Sequence, residues 1–175
     1  MYIEQAYKGF HEGWRYVVGI MSIFIGWQVV GSLPLMGVLI AKSIGQGSMP
    51  RDIPGMASLL GSNLFLFLML LSFAFGLLAT FLTVKLVHKQ KIVDLTTSRK
   101  RVDWNRVGFA FLLWAIISII MVGADLVFSP EDYVFNFKLE PFLYLLVIGV
   151  LLIPIQTSCE EYLMRGYLMQ GIGIL

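Results

Sequence analysis

The stretch IPGMASLLGSNLFLFLMLLSFAFGLLATFLTV, residues 53–84, carries no charged side chain across 32 positions. A helix needs ~20 apolar residues to cross the ~30 Å hydrocarbon core of a bilayer. In lipid the backbone must satisfy its own hydrogen bonds, so such a run reads as a helix. A membrane β-strand would alternate apolar and polar residues, and this run is apolar on every face. Three further runs share its character: residues 16–41, residues 107–124 (apolar on to 128) and residues 141–159. Helices are expected near 17–40, 60–84, 107–128 and 142–158. The expected fold is all-α: a polytopic transmembrane bundle of about four spanning helices, preceded by an N-terminal interfacial segment.

Composition agrees. The 175 residues are 58% hydrophobic and 14% charged, with a mean hydropathy of +0.80. Soluble domains average ~45–50% apolar and ~25% charged. A disordered chain, a disulfide scaffold and an ordinary soluble globule are thereby excluded. The net charge of +2 and the lack of a basic tail give no reason to expect a nucleic-acid partner. The single cysteine, Cys159, has no internal disulfide partner. Two histidines, His11 and His88, are too few for an all-histidine metal site.

Basic residues set the expected orientation. Residues 85–106 hold seven: Lys85, Lys89, Lys91, Arg99, Lys100, Arg101 and Arg106. Residues 42–52 hold Lys42 and Arg51, and residues 129–140 hold Lys138. The 85–106 loop and the N-terminus are thus expected to be cytoplasmic. Residues 1–15 place Ile3, Tyr7, Phe10 and Trp14 on one helical stripe and Glu4, Lys8, Glu12 and Arg15 on another. Such a segment either lies in the headgroup layer or packs on its own bundle. Residues 16–175 form the transmembrane region. Gly45, Gly47, Pro50, Pro54 and Gly55 punctuate the link between the first two helices. Residues 129–140 are expected to form a brief hairpin or an aromatic interfacial edge.

Ionisable residues near membrane depth mark candidate sites. Asp125 lies about 27 Å along its helix from Val107, which puts it near the outer interface. The basic loop is accounted for by the positive-inside bias, and Trp104 reads as an interface anchor. The segment CEEYLMRG, residues 159–166, differs in kind, because two carboxylates and a guanidinium interrupt an apolar stretch. If the helix continues, Glu161 and Arg165 share a face four residues apart, in the favourable acid-first order. Glu160 points about 100° away, with Met164 four residues on and no partner expected within its helix. A partly desolvated Glu160 is suited to take a proton from water and return it to a leaving group. The competing reading is an interfacial salt-bridge cluster. Cys159 beside two carboxylates reads as a small buried residue rather than a nucleophile.

PIQTSCEEYLMRGYLMQG, residues 154–171, resembles the first motif of the CPBP family, the CAAX-prenyl-protease and bacteriocin-processing intramembrane endopeptidases also called Abi. That motif is Glu-Glu-x-x-x-Arg, commonly followed by Gly, and Glu160, Glu161, Arg165 and Gly166 match it. Met164 stands where many members have Phe. The resemblance implies a hydrolase whose first Glu, here Glu160, activates water, while Glu161 and Arg165 hold the site in place. It implies a membrane-associated protein or peptide substrate, with prenylated proteins the best-known case, and a bacterial cytoplasmic membrane. It also implies a second motif, Phe-x-x-x-His, and a third, His-x-x-x-Asn or His-x-x-x-Asp. Members have been described both as metalloproteases and as metal-independent glutamate proteases. A divalent metal such as zinc is therefore compatible with the resemblance, though its ligands are not in this chain. The second and third motifs are absent, since Val84 precedes His88 by four residues and Tyr7 precedes His11. The expectation is the front part of a member, inactive on its own. The alternative is a non-catalytic relative acting in bacteriocin immunity or partner binding. A transporter with these charges on its ion path would need a second intramembrane cluster, and none is present.

Overall fold

A computed structural model of the protein describes residues 2–46, 49–50 and 52–174, with side chains for all of these but 45 and 46. Gly47 and Arg51, read above as part of the first link, lie outside the described residues. The helices are α1 (Gly13–Ile44), α2 (Ile53–Leu60), α3 (Ser62–Leu86), α4 (Ile92–Thr96), α5 (Trp104–Phe128) and α6 (Leu139–Gly173). Among the described residues no strand forms. The helices α1, α3, α5 and α6 are each long and apolar enough to cross a membrane. Three of the uncharged runs each lie within one of these spanning helices, the fourth, residues 53–84, is shared between α2 and α3, and the chain has the all-α architecture of a membrane protein.

Local chemistry explains where the helices start, break and loosen. The uncharged run 53–84 divides at Gly61, whose φ of +85° and ψ of 140° end α2 and start α3. Only glycine adopts that conformation without strain. Gly61→Ala is therefore expected to cost about 1–3 kcal/mol, seen as a lower Tm in detergent. Within α1 a π turn spans Ile25–Val30, with the Gly31 N–H bonded to the Gly26 carbonyl at 3.0 Å. Pro34 lies just beyond it. Proline has no N–H to offer the carbonyl four residues back and its ring crowds that carbonyl, so the preceding turn widens. Asp103 caps α5 by accepting from the Arg106 N–H at 3.4 Å, which starts that helix three residues before its uncharged run.

The bundle has two buried clusters, one toward each end of the helices. Tyr16, Ile23, Val84, Leu95 and Tyr167 form one, and Leu39, Leu60, Phe65 and Leu68 form the other. The helices come close where small residues permit it. A Cβ on Gly19 would lie 2.8 Å from Tyr167 Cζ and 2.9 Å from Thr83 Cγ2. In contrast, no residue of α5 is buried. Its Phe109, Phe111 and Trp114 all stand exposed. In water that would be a liability, whereas lipid tails are as apolar as these side chains.

The N-terminal segment departs from a single surface helix. A 3-10 helix covers Ile3–Lys8, the chain then extends, and α1 starts at Gly13. Gly9 lies where a Cβ would meet the His88 carbonyl oxygen at 2.6 Å. Ala6 is buried, the Tyr2 hydroxyl donates to the Leu95 carbonyl, and the Phe10 N–H donates to the His88 carbonyl at 2.7 Å. Residues 2–10 thus pack on the bundle, while Tyr7, Phe10 and Trp14 keep exposed outer faces. Residues 129–140 form a 3-10 turn, Pro130–Asp132, followed by extended chain.

Candidate functional site

Glu160, Glu161 and Arg165 sit on α6, which runs on past the expected end near 158. It is α-helical over Leu139–Glu161, π-helical over Tyr162–Leu168 and α-helical again over Met169–Gly173. Pro154 does not break it. The Thr157 hydroxyl donates to the Ile153 and Pro154 carbonyls at 3.1 and 3.2 Å. π turns recur at functional positions because they rotate the following side chains out of α register.

Arg165 Nε lies 3.3 Å from Glu161 Oε2. The pairing of Glu161 with Arg165, expected from their spacing, is present. Both side chains are largely exposed, at 58% and 76%, so the pair orients the two groups more than it stabilises the fold. Glu160 requires two corrections. It does have a partner in its helix, because Gln156 Nε2 donates to Glu160 Oε1 at 3.5 Å, one turn back rather than one turn on. It is also exposed, so the described chain does not desolvate it.

The two carboxylates face different spaces. Phe142, Leu146, Gly149, Ile153, Gln156 and Glu160 follow one another at three or four residues along a single stripe of α6. The first five line a groove of about 630 Å³ between α6 and α3, with Leu66, Met69 and Leu70 opposite. The groove is apolar until Gln156, and Glu160 lies one turn beyond. Glu161 and Arg165 instead border a cavity of about 360 Å³, lined also by Tyr2, Leu95, Thr96 and Met169.

A buried polar network, not anticipated from the spacing of charges, supports this end of α6. His88 is 2% exposed. Its Nδ1 is 2.7 Å from the Phe10 carbonyl and its Nε2 is 2.8 Å from the Tyr167 hydroxyl. A carbonyl can only accept, so Nδ1 carries the proton and Nε2 accepts from Tyr167. Burial pushes the His88 pKa down. The Phe10 hydrogen bond and Glu12 pull it the other way, and Arg15 adds to the lowering. Buried Gln90 donates to the Gln5 carbonyl at 3.0 Å and to Gln170 Oε1 at 3.1 Å. Gln170 in turn donates to the Asp94 carbonyl at 3.0 Å. One signal was available: His88, Gln90 and Gln170 are neutral polar residues flanking apolar helices, where a surface position would favour charge.

The remaining candidates fall into place. Cys159 is fully buried beside Gly76, where a Cβ would meet its Sγ at 2.8 Å. Asp125 is exposed near the end of α5 and accepts from the Tyr133 hydroxyl, which holds Tyr133 above its ordinary pKa. His11 Nδ1 is 3.1 Å from the Gly9 carbonyl. Among the described residues no three His, Cys, Asp or Glu side chains are grouped to hold a metal ion. Glu160 and Glu161 alone do not make a zinc ligand set.

No protein-family sequence model matches the chain. It is 27% identical over 169 residues to YyaK of Bacillus subtilis (strain 168), an uncharacterized protein. That match covers 96% of this chain and 56% of YyaK, so the chain spans about half the length of its relative. No solved structure matches.

Proposed function

We propose that the protein is an intramembrane endopeptidase of the CPBP type, hydrolysing a peptide bond of a membrane-associated protein or peptide. The observation that carries the reading is the division of labour on α6: Arg165 braces Glu161, while Glu160 stands on the stripe that lines the apolar groove. In the proposed reaction Glu160 takes a proton from water and the water oxygen adds to the peptide carbonyl carbon. Glu160 then returns the proton to the leaving nitrogen as the C–N bond breaks. The groove leading to Gln156 fits an apolar substrate segment, a prenyl chain among them. The basic residues of 85–106 support a cytoplasmic N-terminus and a site on the cytoplasmic side of a bacterial membrane.

The test uses the full-length gene product in lipid vesicles with quenched fluorescent peptides, with and without a farnesylated cysteine. Cleavage that prefers the farnesylated peptide is the expected result. No cleavage of either peptide by folded protein overturns it.

A further inference from the structure

A basic hollow lies at the end of the bundle where α3 stops and α5 starts. Three segments distant in sequence build it. Lys8 comes from the N-terminal 3-10 helix, Lys89 and Lys91 follow α3, and Arg99 and Lys100 precede α5. This cavity, of about 540 Å³, shares Arg99 and Lys100 with a second one of about 500 Å³ that adds Arg101 and Trp104. Two carboxylates also face the hollow, and both are already paired. Asp94 binds Lys8 at 2.8 Å, and Asp103 binds Arg99 at 2.8 Å and Arg106 at 3.2 Å. Lys89, Lys91, Lys100 and Arg101 are left with no carboxylate partner among the described residues.

The location selects the ligand. Trp104 is 74% exposed at the first position of α5, and from residue 107 to residue 124 that helix carries no charge and no buried residue. The hollow therefore sits at the level where hydrocarbon gives way to headgroups, with an unpartnered apolar helix running away from it. A molecule satisfying both carries a phosphate anion at one end and acyl chains at the other. We infer that this hollow binds the phosphodiester headgroup of an anionic phospholipid, whose chains lie along α5. The positive-inside bias alone explains how many basic residues a loop carries. It does not explain why three segments distant in sequence bring their basic groups to one hollow, where Lys89, Lys91, Lys100 and Arg101 remain after Lys8 and Arg99 have paired Asp94 and Asp103. The inference does not depend on the peptidase reading.

The test is native mass spectrometry of the full chain, released from mixed micelles of equal phosphatidylglycerol and phosphatidylcholine. The wild-type protein retains phosphatidylglycerol in preference. The quadruple variant Lys89→Gln, Lys91→Gln, Lys100→Gln, Arg101→Gln is expected to lower that preference at least about tenfold, since each basic group near a membrane surface contributes to anionic-lipid binding. A Lys42→Gln, Lys138→Gln variant removes two cations at the opposite ends of the helices and keeps the preference. If the quadruple variant does not fold, Lys100→Gln with Arg101→Gln, at an exposed bend, is expected to lower it about threefold. An unchanged preference in either variant, or an equal loss in the opposite-end control, overturns the inference. So does release of the lipid by ~10 mM inorganic phosphate at constant ionic strength, which assigns the hollow to free phosphate instead.

Discussion

Glu160→Gln in the full-length protein is expected to abolish peptide cleavage, by about 10²–10⁴-fold, the usual contribution of a positioned general base. Folded yield and Tm stay within a degree or two of wild type. The structure explains why the two readouts separate. Glu160 is exposed, and its side chain takes part in one long hydrogen bond, 3.5 Å from Gln156. An amide of the same shape keeps the helix and loses only the ability to carry a proton. Glu161→Gln behaves differently. It keeps an acceptor for the Arg165 guanidinium but removes the charge that holds it at 3.3 Å, so activity falls by a smaller factor through looser placement of the π turn. Full cleavage by Glu160→Gln, measured on the farnesylated peptide, removes Glu160 from the mechanism.

The second large effect belongs to His88. His88→Ala deletes the buried acceptor of the Tyr167 hydroxyl and the donor to the Phe10 carbonyl. Losing these two hydrogen bonds and the packed ring costs roughly 2 kcal/mol, enough to lower Tm in detergent by a few degrees. A pH dependence follows. Burial holds the native His88 below the ~6.5 of an unfolded histidine. As the pH falls through that value the unfolded chain gains a proton that the native chain does not. Stability contributed by neutral His88 is thus complete above about pH 7 and declines toward pH 5. Tyr16, Tyr167, Arg15 and Glu12 surround the ring, and the Glu12 carboxyl is held below the usual carboxylate range by its own backbone hydrogen bond and by Arg15, so it does not share this window. His88→Gln, which retains a donor and an acceptor, is expected to flatten the Tm–pH curve between pH 5 and 7. A curve unchanged from wild type assigns the pH dependence to other groups.

The four long helices were legible because lipid demands length and excludes charge, and both show in one sequence. The Glu161–Arg165 pair was legible for a similar reason, as its geometry lies within one helix. The Gln156 contact is equally local but lies one turn before Glu160, where an uncharged amide stands out less than a charged partner would. Gly61 was hidden inside 32 uncharged residues, where nothing in hydropathy marks a break. The burial of His88 was out of reach for a stronger reason. Its partners, Phe10 and Tyr167, are 78 and 79 residues away in opposite directions, and no periodicity reports such a meeting.

The tie between the first and last segments also sets an order of events. Tyr167 reaches back 152 residues to the Arg15 carbonyl, and Gln90 joins Gln5 to Gln170. At translation rates of ~5–20 residues per second, Arg15 is made about 8–30 s before Tyr167. Through that interval residues 2–10 have no complete surface to dock against, and Tyr16 and His88 wait without their common neighbour. The segment synthesised first is among the last to reach its native contacts, so assembly closes at the N-terminus only after α6 is in place.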